Sequence, residues 1–293
     1  MAVNERDPHT GYMTTGHEWN GIKELNTPVP RPVYFFLITT ALFSFVYWIL
    51  MPAWPLGVSY TRGLLGIDQT TTVENALKQS ELQRAAWTKR IETESYAAIQ
   101  ADAALMKIVR QSGKTLFGDN CAVCHGLNAK GSKGFPDLTA RTWLWGGNPE
   151  TLAETIRVGI NTDHPNTRVS EMLGFGRTQV LNRAQVNDVI AYLRTLSGDA
   201  AKTPVPAAQR EEGAKLFAAQ CATCHGDNAK GKVEQGAPDL TDQSWIYGGD
   251  QQSILDTIWH GRKGYMPAWE SRLSATDRKI LVLYLLDLQT KPQ

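Results

Sequence analysis

Two five-residue segments constrain this chain more than anything else in it: Cys121-Ala122-Val123-Cys124-His125 and Cys221-Ala222-Thr223-Cys224-His225. They contain all 4 cysteines of the 293 residues and lie 100 positions apart. Cys-x-x-Cys-His is the attachment signature of c-type haem. Two thiols one helical turn apart reach the vinyl groups along one porphyrin edge, and the adjoining imidazole offers a nitrogen to the iron from beneath the ring. A redox dithiol or half of a four-cysteine zinc site needs only the cysteine pair. Either reading leaves the histidine of both segments without a role. The spacing therefore points to two covalently bound haem c groups, held through Cys121, Cys124, Cys221 and Cys224 with His125 and His225 as axial ligands.

The surrounding residues repeat as well. Gly113-Lys114-Thr115-Leu116-Phe117 returns as Gly213-Ala214-Lys215-Leu216-Phe217, and Pro136-Asp137-Leu138-Thr139 returns as Pro238-Asp239-Leu240-Thr241. Trp143 matches Trp245, and Tyr192 matches Tyr284. One unit of roughly 90 residues stands twice in tandem. Each copy reads as three helices: one before the motif, one over 152–158 or 254–259, and one after Leu181 or Leu273. Gly113 and Gly213 let the first helix of a copy approach the last, with Phe117 against Tyr192 and Phe217 against Tyr284. Proline carbonyls at 136 and 238 are acceptors for the second ring nitrogen of each histidine. Trp143, Trp145, Trp245 and Tyr247 are expected to line the pockets.

A sixth iron ligand has to come later in each copy. Met172 and Met266 are the only methionines that follow their motifs. His/Met ligation fills both axial positions and suits electron transfer. Copy one carries about eight extra residues before its methionine, His164 among them, and His164 is the competing ligand. His260 reads as an ordinary, partly exposed histidine.

Ahead of the repeat, residues 33–51 run nineteen positions without a charge, bracketed by Pro30 and Pro32 before and Pro52 and Pro55 after. A helix of that length spans about 28 Å, close to the hydrocarbon thickness of a bilayer. Thirty-two mostly polar residues precede it and no small-residue cleavage site follows, so it reads as an uncleaved anchor and not a signal peptide. Thr71-Thr72-Val73-Glu74 has the form of a capping box that opens a helical stretch to about Gln100. The chain then divides into an N-terminal segment (1–32), an anchor (33–52), a connector with a spacer helix (53–104), a first unit (105–199), a linker (200–206) and a second unit (207–293). A formal net charge of +1 gives no case for a nucleic-acid partner. Lys230 with Lys232, and Arg262 with Lys263, are the local basic patches that could steer a protein partner.

Each copy resembles a class I cytochrome c domain, on the haem motifs, Pro136 and Pro238, and the two late methionines. The fold class is then mainly α, with one N-terminal transmembrane helix followed by two tandem class I cytochrome c domains. The segment Asn20-Gly21-Ile22-Lys23-Glu24-Leu25-Asn26-Thr27-Pro28-Val29-Pro30 is similar to the stretch before the anchor in one family, the diheme subunit of cbb3-type cytochrome c oxidases (the CcoP or FixP type). Members tend to carry Asp-Asn-Pro and paired Trp there; this chain has Asn26-Thr27-Pro28 and Arg31-Pro32-Val33-Tyr34.

The resemblance implies a subunit of the bacterial inner membrane, N-terminus cytoplasmic and haem domains periplasmic. It would take electrons from a donor cytochrome c and pass them to a monohaem c subunit and the haem–copper catalytic subunit. That complex reduces oxygen to water and moves protons, while the chain itself holds no oxygen-reduction centre. By the same resemblance Met172 would serve the haem of Cys121 and Cys124, and Met266 that of Cys221 and Cys224. The alternatives are an electron-transfer subunit of another membrane oxidoreductase, a diheme peroxidase, or a haem-based gas sensor.

Overall fold

The protein's structure is a computed structural model that describes residues 5–197 and 204–290. The linker expected at 200–206 falls, for residues 200–203, outside the described residues. The chain forms two compact units, one reaching Gln83 and the other starting at Arg84.

The first unit opens with a hairpin that helical periodicity gave no reason to expect. Strands β1 (Thr14–Trp19) and β2 (Ile22–Leu25) pair antiparallel about Asn20-Gly21. Both turn residues have positive φ, 51° and 83°, as the favoured two-residue hairpin turn requires. Helix α1 (Arg31–Leu50) follows. It begins two residues ahead of the expected anchor because Pro32 fits its first turn, where the missing N–H costs nothing. It stops at Leu50 because Met51, extended, precedes Pro52. None of its side chains is buried, and its mean hydropathy of 2.0 makes it a membrane-span candidate.

Helix α2 (Gln69–Thr93) starts earlier than Thr71-Thr72-Val73-Glu74 indicated. Asp68 caps it: its Oδ1 accepts from Thr70 N at 2.8 Å and its carbonyl from Thr72 N at 2.9 Å. The helical stretch expected to continue to Gln100 breaks at Glu94-Ser95, and the Ser95 hydroxyl caps α3 (Tyr96–Ala101) by accepting from Ala98 N at 3.2 Å. Ile91 and Ile99 are fully buried in the second unit's core, with Trp87 and Tyr96 packed alongside. The spacer therefore docks over its last turns.

The rest of the second unit is the tandem repeat. Copy one supplies α4 (Ala103–Asn120), α5 (Ala122–His125), α6 (Pro149–Val158) and α7 (Arg183–Leu196). Copy two supplies α8 (Ala207–Gln220), α9 (Ala222–His225), α10 (Gln251–His260) and α11 (Ala275–Thr290). Their ends are locally encoded. Asp102 accepts from Ala104 N and Leu105 N at the start of α4. Asn148 and Asp250 cap the middle helices, and Asn182 with Gln185 forms a reciprocal capping box on α7.

The helices occur where the sequence puts them, but the last helix of each copy packs on the other copy. Helix α4 lies against α11, and α7 lies against α8; α11 also covers α6, and α7 covers α10. Phe117 meets Tyr284 at a ring separation of 5.9 Å, and Phe217 meets Tyr192 at 5.5 Å. The within-copy pairs expected from sequence, Phe117 with Tyr192 and Phe217 with Tyr284, are thus exchanged. The glycines keep their expected task with the new partner: a Cβ on Gly113 would sit 2.6 Å from the Tyr284 Cβ, too close for any larger residue. Arg110 of α4 forks onto Asp287 of α11 at 2.8–3.1 Å across the same contact.

Two apolar cores result, each built from both copies. Val109, Phe117, Leu152 and Ile156 of copy one share a core with Ile280, Leu281, Leu283 and Leu285 of copy two. Phe217, Ile254 and Ile258 of copy two share the other with Val186, Val189, Ile190 and Leu193 of copy one. Burying such a side chain is worth about 1.5–3 kcal/mol, so each core depends on both halves of the repeat.

Candidate haem-binding site

The motif of each copy folds into a short helix at the end of the first helix, α5 after α4 and α9 after α8. All four cysteines are free of disulfides. Burial pushes the Cys121 and Cys221 thiols up to about 11, so neither is poised as a reactive thiolate. Among the described residues no three His, Cys, Asp or Glu side chains come together as a metal cluster, so the two cysteine pairs do not join as a four-cysteine zinc site.

His125 Nδ1 lies 3.2 Å from the Pro136 carbonyl, and His225 Nδ1 lies 3.1 Å from that of Pro238. Each contact places the ring proton on Nδ1 and leaves the Nε2 lone pair free. Burial lowers the pKa of both imidazoles, partly offset by those carbonyls, which keeps them neutral as iron ligation requires.

The chain crosses over just beyond the middle helices, and the crossing decides on which core each methionine packs. Ile160 and Met266 exchange backbone bonds (2.9 and 3.1 Å), and so do Met172 and Arg262 (2.8 and 2.9 Å). Past each methionine the chain is tied to the other copy's middle helix: Trp269 N donates to Ile156 O at 3.1 Å, and Phe175 N to Ile258 O at 2.9 Å. Gly159 and Gly261, at φ 68° and 76°, end those helices at the point where the foreign strand passes, and a side chain on either would strike its backbone.

Met266 therefore lines the same cavity as His125 and packs on the core that contains Ala122. Met172 packs instead on the core that contains Ala222 and Phe217, beside Trp245. From sequence, Met172 is expected with the first haem motif and Met266 with the second; in the structure each methionine packs on the core beside the other copy's motif. Two nearly identical docking faces admit either connection, and the crossing bridges select the exchanged one.

The cavity, about 700 Å³, is walled by both copies, with Trp143, Trp145, Trp245, Leu152 and Ile156 in its lining. Its size suits a large planar cofactor. Trp145 and Trp245 each bury an indole N–H that has no hydrogen-bond partner in the protein. Buried donors of this kind call for an acceptor, and haem carries two carboxylates. Free thiols, neutral imidazoles with an open nitrogen, a methionine packed on the core beside each motif and unsatisfied indole donors together fit haem c.

Tyr247 is not part of that wall. It carries the Arg262 guanidinium 4.5 Å from its ring, as Trp145 carries Arg168 at 5.0 Å. Both arginines also bond a middle-helix threonine, Arg262 to Thr257 at 3.1 Å and Arg168 to Thr155 at 2.8 Å. The basic patches are largely spent within the molecule: Lys232 donates to Thr223 O, Lys230 reaches Thr241 and Asp239, and Lys263 pairs with Glu171. His164 has both ring nitrogens engaged, Nε2 with Glu270 at 2.8 Å and Nδ1 accepting from Asn166 N at 3.0 Å, so it presents neither to an iron. His260 is exposed at the end of α10.

These are the elements of a c-type cytochrome, present twice in one chain behind an apolar helix. Family comparisons agree along its length. Residues 11–58 match the model for the N-terminal domain of cytochrome oxidase-cbb3, FixP. Residues 111–197 match that for cytochrome c, and residues 208–285 that for cytochrome c oxidase, cbb3-type, subunit III. The FixP subunit of the cbb3-type cytochrome c oxidase of Bradyrhizobium sp. (strain ORS 278) is 45% identical over 285 residues, 97% of each chain. That of Azorhizobium caulinodans is 43% identical over 275 residues, 94% of this chain and 92% of its own. The CcoP subunit of Azospirillum brasilense is 39% identical over 295 residues, 98% and 99% of the two chains. The chain belongs to the FixP/CcoP family of cbb3-type cytochrome c oxidase subunits.

Proposed function

We propose that this chain is the diheme electron-entry subunit of a cbb3-type oxidase. Cys121 and Cys124 would hold one haem c, with His125 and Met266 as its iron donors; Cys221 and Cys224 would hold the other, with His225 and Met172. Bound haem c supplies a reversible one-electron iron couple. The residues around it do no acid–base or nucleophilic work. They would fix the histidine and methionine donors and keep the imidazoles neutral, which favours electron transfer over ligand chemistry.

The observation that supports this reading best is a motif histidine with a free Nε2 in each copy, with Met266 lining the cavity of His125 and Met172 packed on the core that holds Ala222 and Cys221. A peroxidase or gas sensor needs an iron position left open or easily vacated, and the occupied nitrogens of His164 remove the residue that could have exchanged with a methionine. The chain would accept electrons from a donor cytochrome c and deliver them to a monohaem c subunit, and through it to the haem–copper catalytic subunit that reduces oxygen to water. Helix α1 would anchor the chain in the bacterial inner membrane. Covalent haem attachment takes place on the outer face of that membrane, so the hairpin before α1 would be cytoplasmic and the tandem repeat periplasmic.

Affinity purification of the tagged chain from detergent-solubilised membranes tests the assignment against another membrane oxidoreductase. Recovery of a haem–copper catalytic subunit and a monohaem c subunit, with oxygen uptake driven by reduced cytochrome c, is the expected result. Recovery with a dehydrogenase and no haem–copper subunit would move the chain to a different machine.

A further inference from the structure

The two methionines reach their sites along unequal paths. Copy two goes from Gly261 to Met266 in five residues, whereas copy one inserts a loop between Gly159 and Met172. That loop does not shield its own methionine. It grips the strand that bears Met266. Asn161, held at φ 53°, donates from Nδ2 to the Gly264 carbonyl at 2.6 Å and to the Ser170 carbonyl at 2.7 Å, while its Oδ1 accepts from Ser170 N at 3.1 Å. One side chain thus ties both crossing strands.

On the far side of Met266, Glu270 is held twice. His164 Nε2 lies 2.8 Å from its Oε2, and Arg157 Nη1 donates to its Oε1 at 2.6 Å. The His164 side chain is 12% exposed, and because its Nδ1 accepts from Asn166 N, its other nitrogen carries the proton toward Glu270. Arg157 is itself braced by Glu154 at 2.8 Å. Met266 is therefore pinned two residues before and four residues after its position. Met172 shares the Asn161 tie through Ser170, two residues before it, but has no counterpart of the Glu270 ties among the described residues: Leu173 (64%) and Val169 (68%) are exposed beside it, and Glu171 pairs with the exposed Lys263.

We infer that the copy-one loop is a strap that holds Met266 on the first haem's iron, with Asn161 and His164 as its positioning residues. The strap makes the first haem the more firmly closed of the two. It rests on the ligation proposed above, and the experiment separates the two claims.

The full chain, purified with both haems, is compared as wild type, Asn161→Asp, His164→Ala, His164→Gln, Met266→Ala and Met172→Ala. The readouts are the far-red absorption band of methionine-ligated ferric haem and carbon monoxide binding to the reduced chain. Asn161→Asp sets a carboxylate against the carbonyls of Gly264 and Ser170, one on each methionine's strand, and should weaken the band of both haems. It should also admit carbon monoxide to the reduced chain, with the spectrum of the Met266→Ala complex among the products. His164→Ala removes one tie and should raise the rate of carbon monoxide binding at that haem about tenfold, the scale of one or two hydrogen bonds in an opening equilibrium. His164→Gln keeps an N–H donor toward Glu270 and should restore closure.

If Asn161→Asp and His164→Ala both keep the full band and exclude carbon monoxide while Met266→Ala binds it, the strap has no such role. Opening by His164→Ala at the haem that Met172→Ala exposes would also overturn it. If wild type itself lacks methionine-ligated haem, the ligation reading fails instead. If Asn161→Asp fails to assemble, the His164 pair decides.

Discussion

Replacing Met266 by histidine should lower the midpoint potential of the haem proposed at Cys121 and Cys124, a hundred and more residues away in sequence, and leave that of Cys221 and Cys224 unchanged. Axial ligands command a span of about 0.8 V, and exchange of thioether sulfur for imidazole should lower the potential on the order of 0.1 V or more. The assignment is made in a chain with Cys221→Ala and Cys224→Ala, where only the first haem is attached. There Met266→His shifts the potential and Met172→His does not; in the reciprocal chain, with Cys121→Ala and Cys124→Ala, the order reverses. The warrant is the cavity wall that His125 and Met266 share, together with the bonds from Trp269 to Ile156 and from Glu270 to Arg157 that lead the second copy's strand onto the first copy's middle helix. A shift from Met172→His at the first haem would mean that each copy closes on itself.

A second large effect follows from the same exchange. A protease site inserted between the copies, within residues 198–206, and cut in the folded, haem-loaded protein should leave two fragments that elute together with both haem spectra intact. Separation would require α11 to leave α4 and α7 to leave α8. That would expose Ile280, Leu281 and Leu283 from one core and Val186, Val189 and Ile190 from the other. At about 1.5–3 kcal/mol for each side chain, an upper estimate against a compact unfolded chain, the loss exceeds what the fragments gain in freedom. The Arg110–Asp287 fork spans the cut as well. Self-contained copies would instead part into two small cytochromes after cleavage, so gel filtration of the nicked protein distinguishes the two arrangements in one run.

Local chemistry made most of the helices legible. Apolar periodicity located α6, α7, α10 and α11, and the charge-free run located α1. Three local features went unread. Asn20-Gly21 is a strong hairpin signal, but it sits between polar strands with no buried face to produce an alternating pattern. Asp68 and Thr71 both have capping chemistry, and Asp68 wins because its side chain reaches Thr70 N while its carbonyl starts the helix. Ser95 caps a new helix inside a stretch without Gly or Pro, where propensity alone gives no break.

The candidate site was legible residue by residue and illegible in its pairing. Cys-x-x-Cys-His, the proline carbonyls and the two methionines are matters of composition and order. Which methionine meets which histidine depends on long-range packing, and duplication makes that choice degenerate. Phe117 and Phe217, Gly113 and Gly213, and Tyr192 and Tyr284 are the same residue types in the same positions, so either copy's last helix fits either first helix. The inserted loop of copy one was visible as extra length. Its contacts with Gly264 and Glu270 could be seen only once the strands had crossed.

The measurement closest to the centre of this account is the intact mass of the mature chain, followed by mapping of the two motif peptides. The polypeptide should carry the added mass of two haem groups, with one macrocycle bonded to the peptide of Cys121 and Cys124 and one to that of Cys221 and Cys224. A bare polypeptide mass, or cysteines that alkylate freely at both motifs, would contradict it.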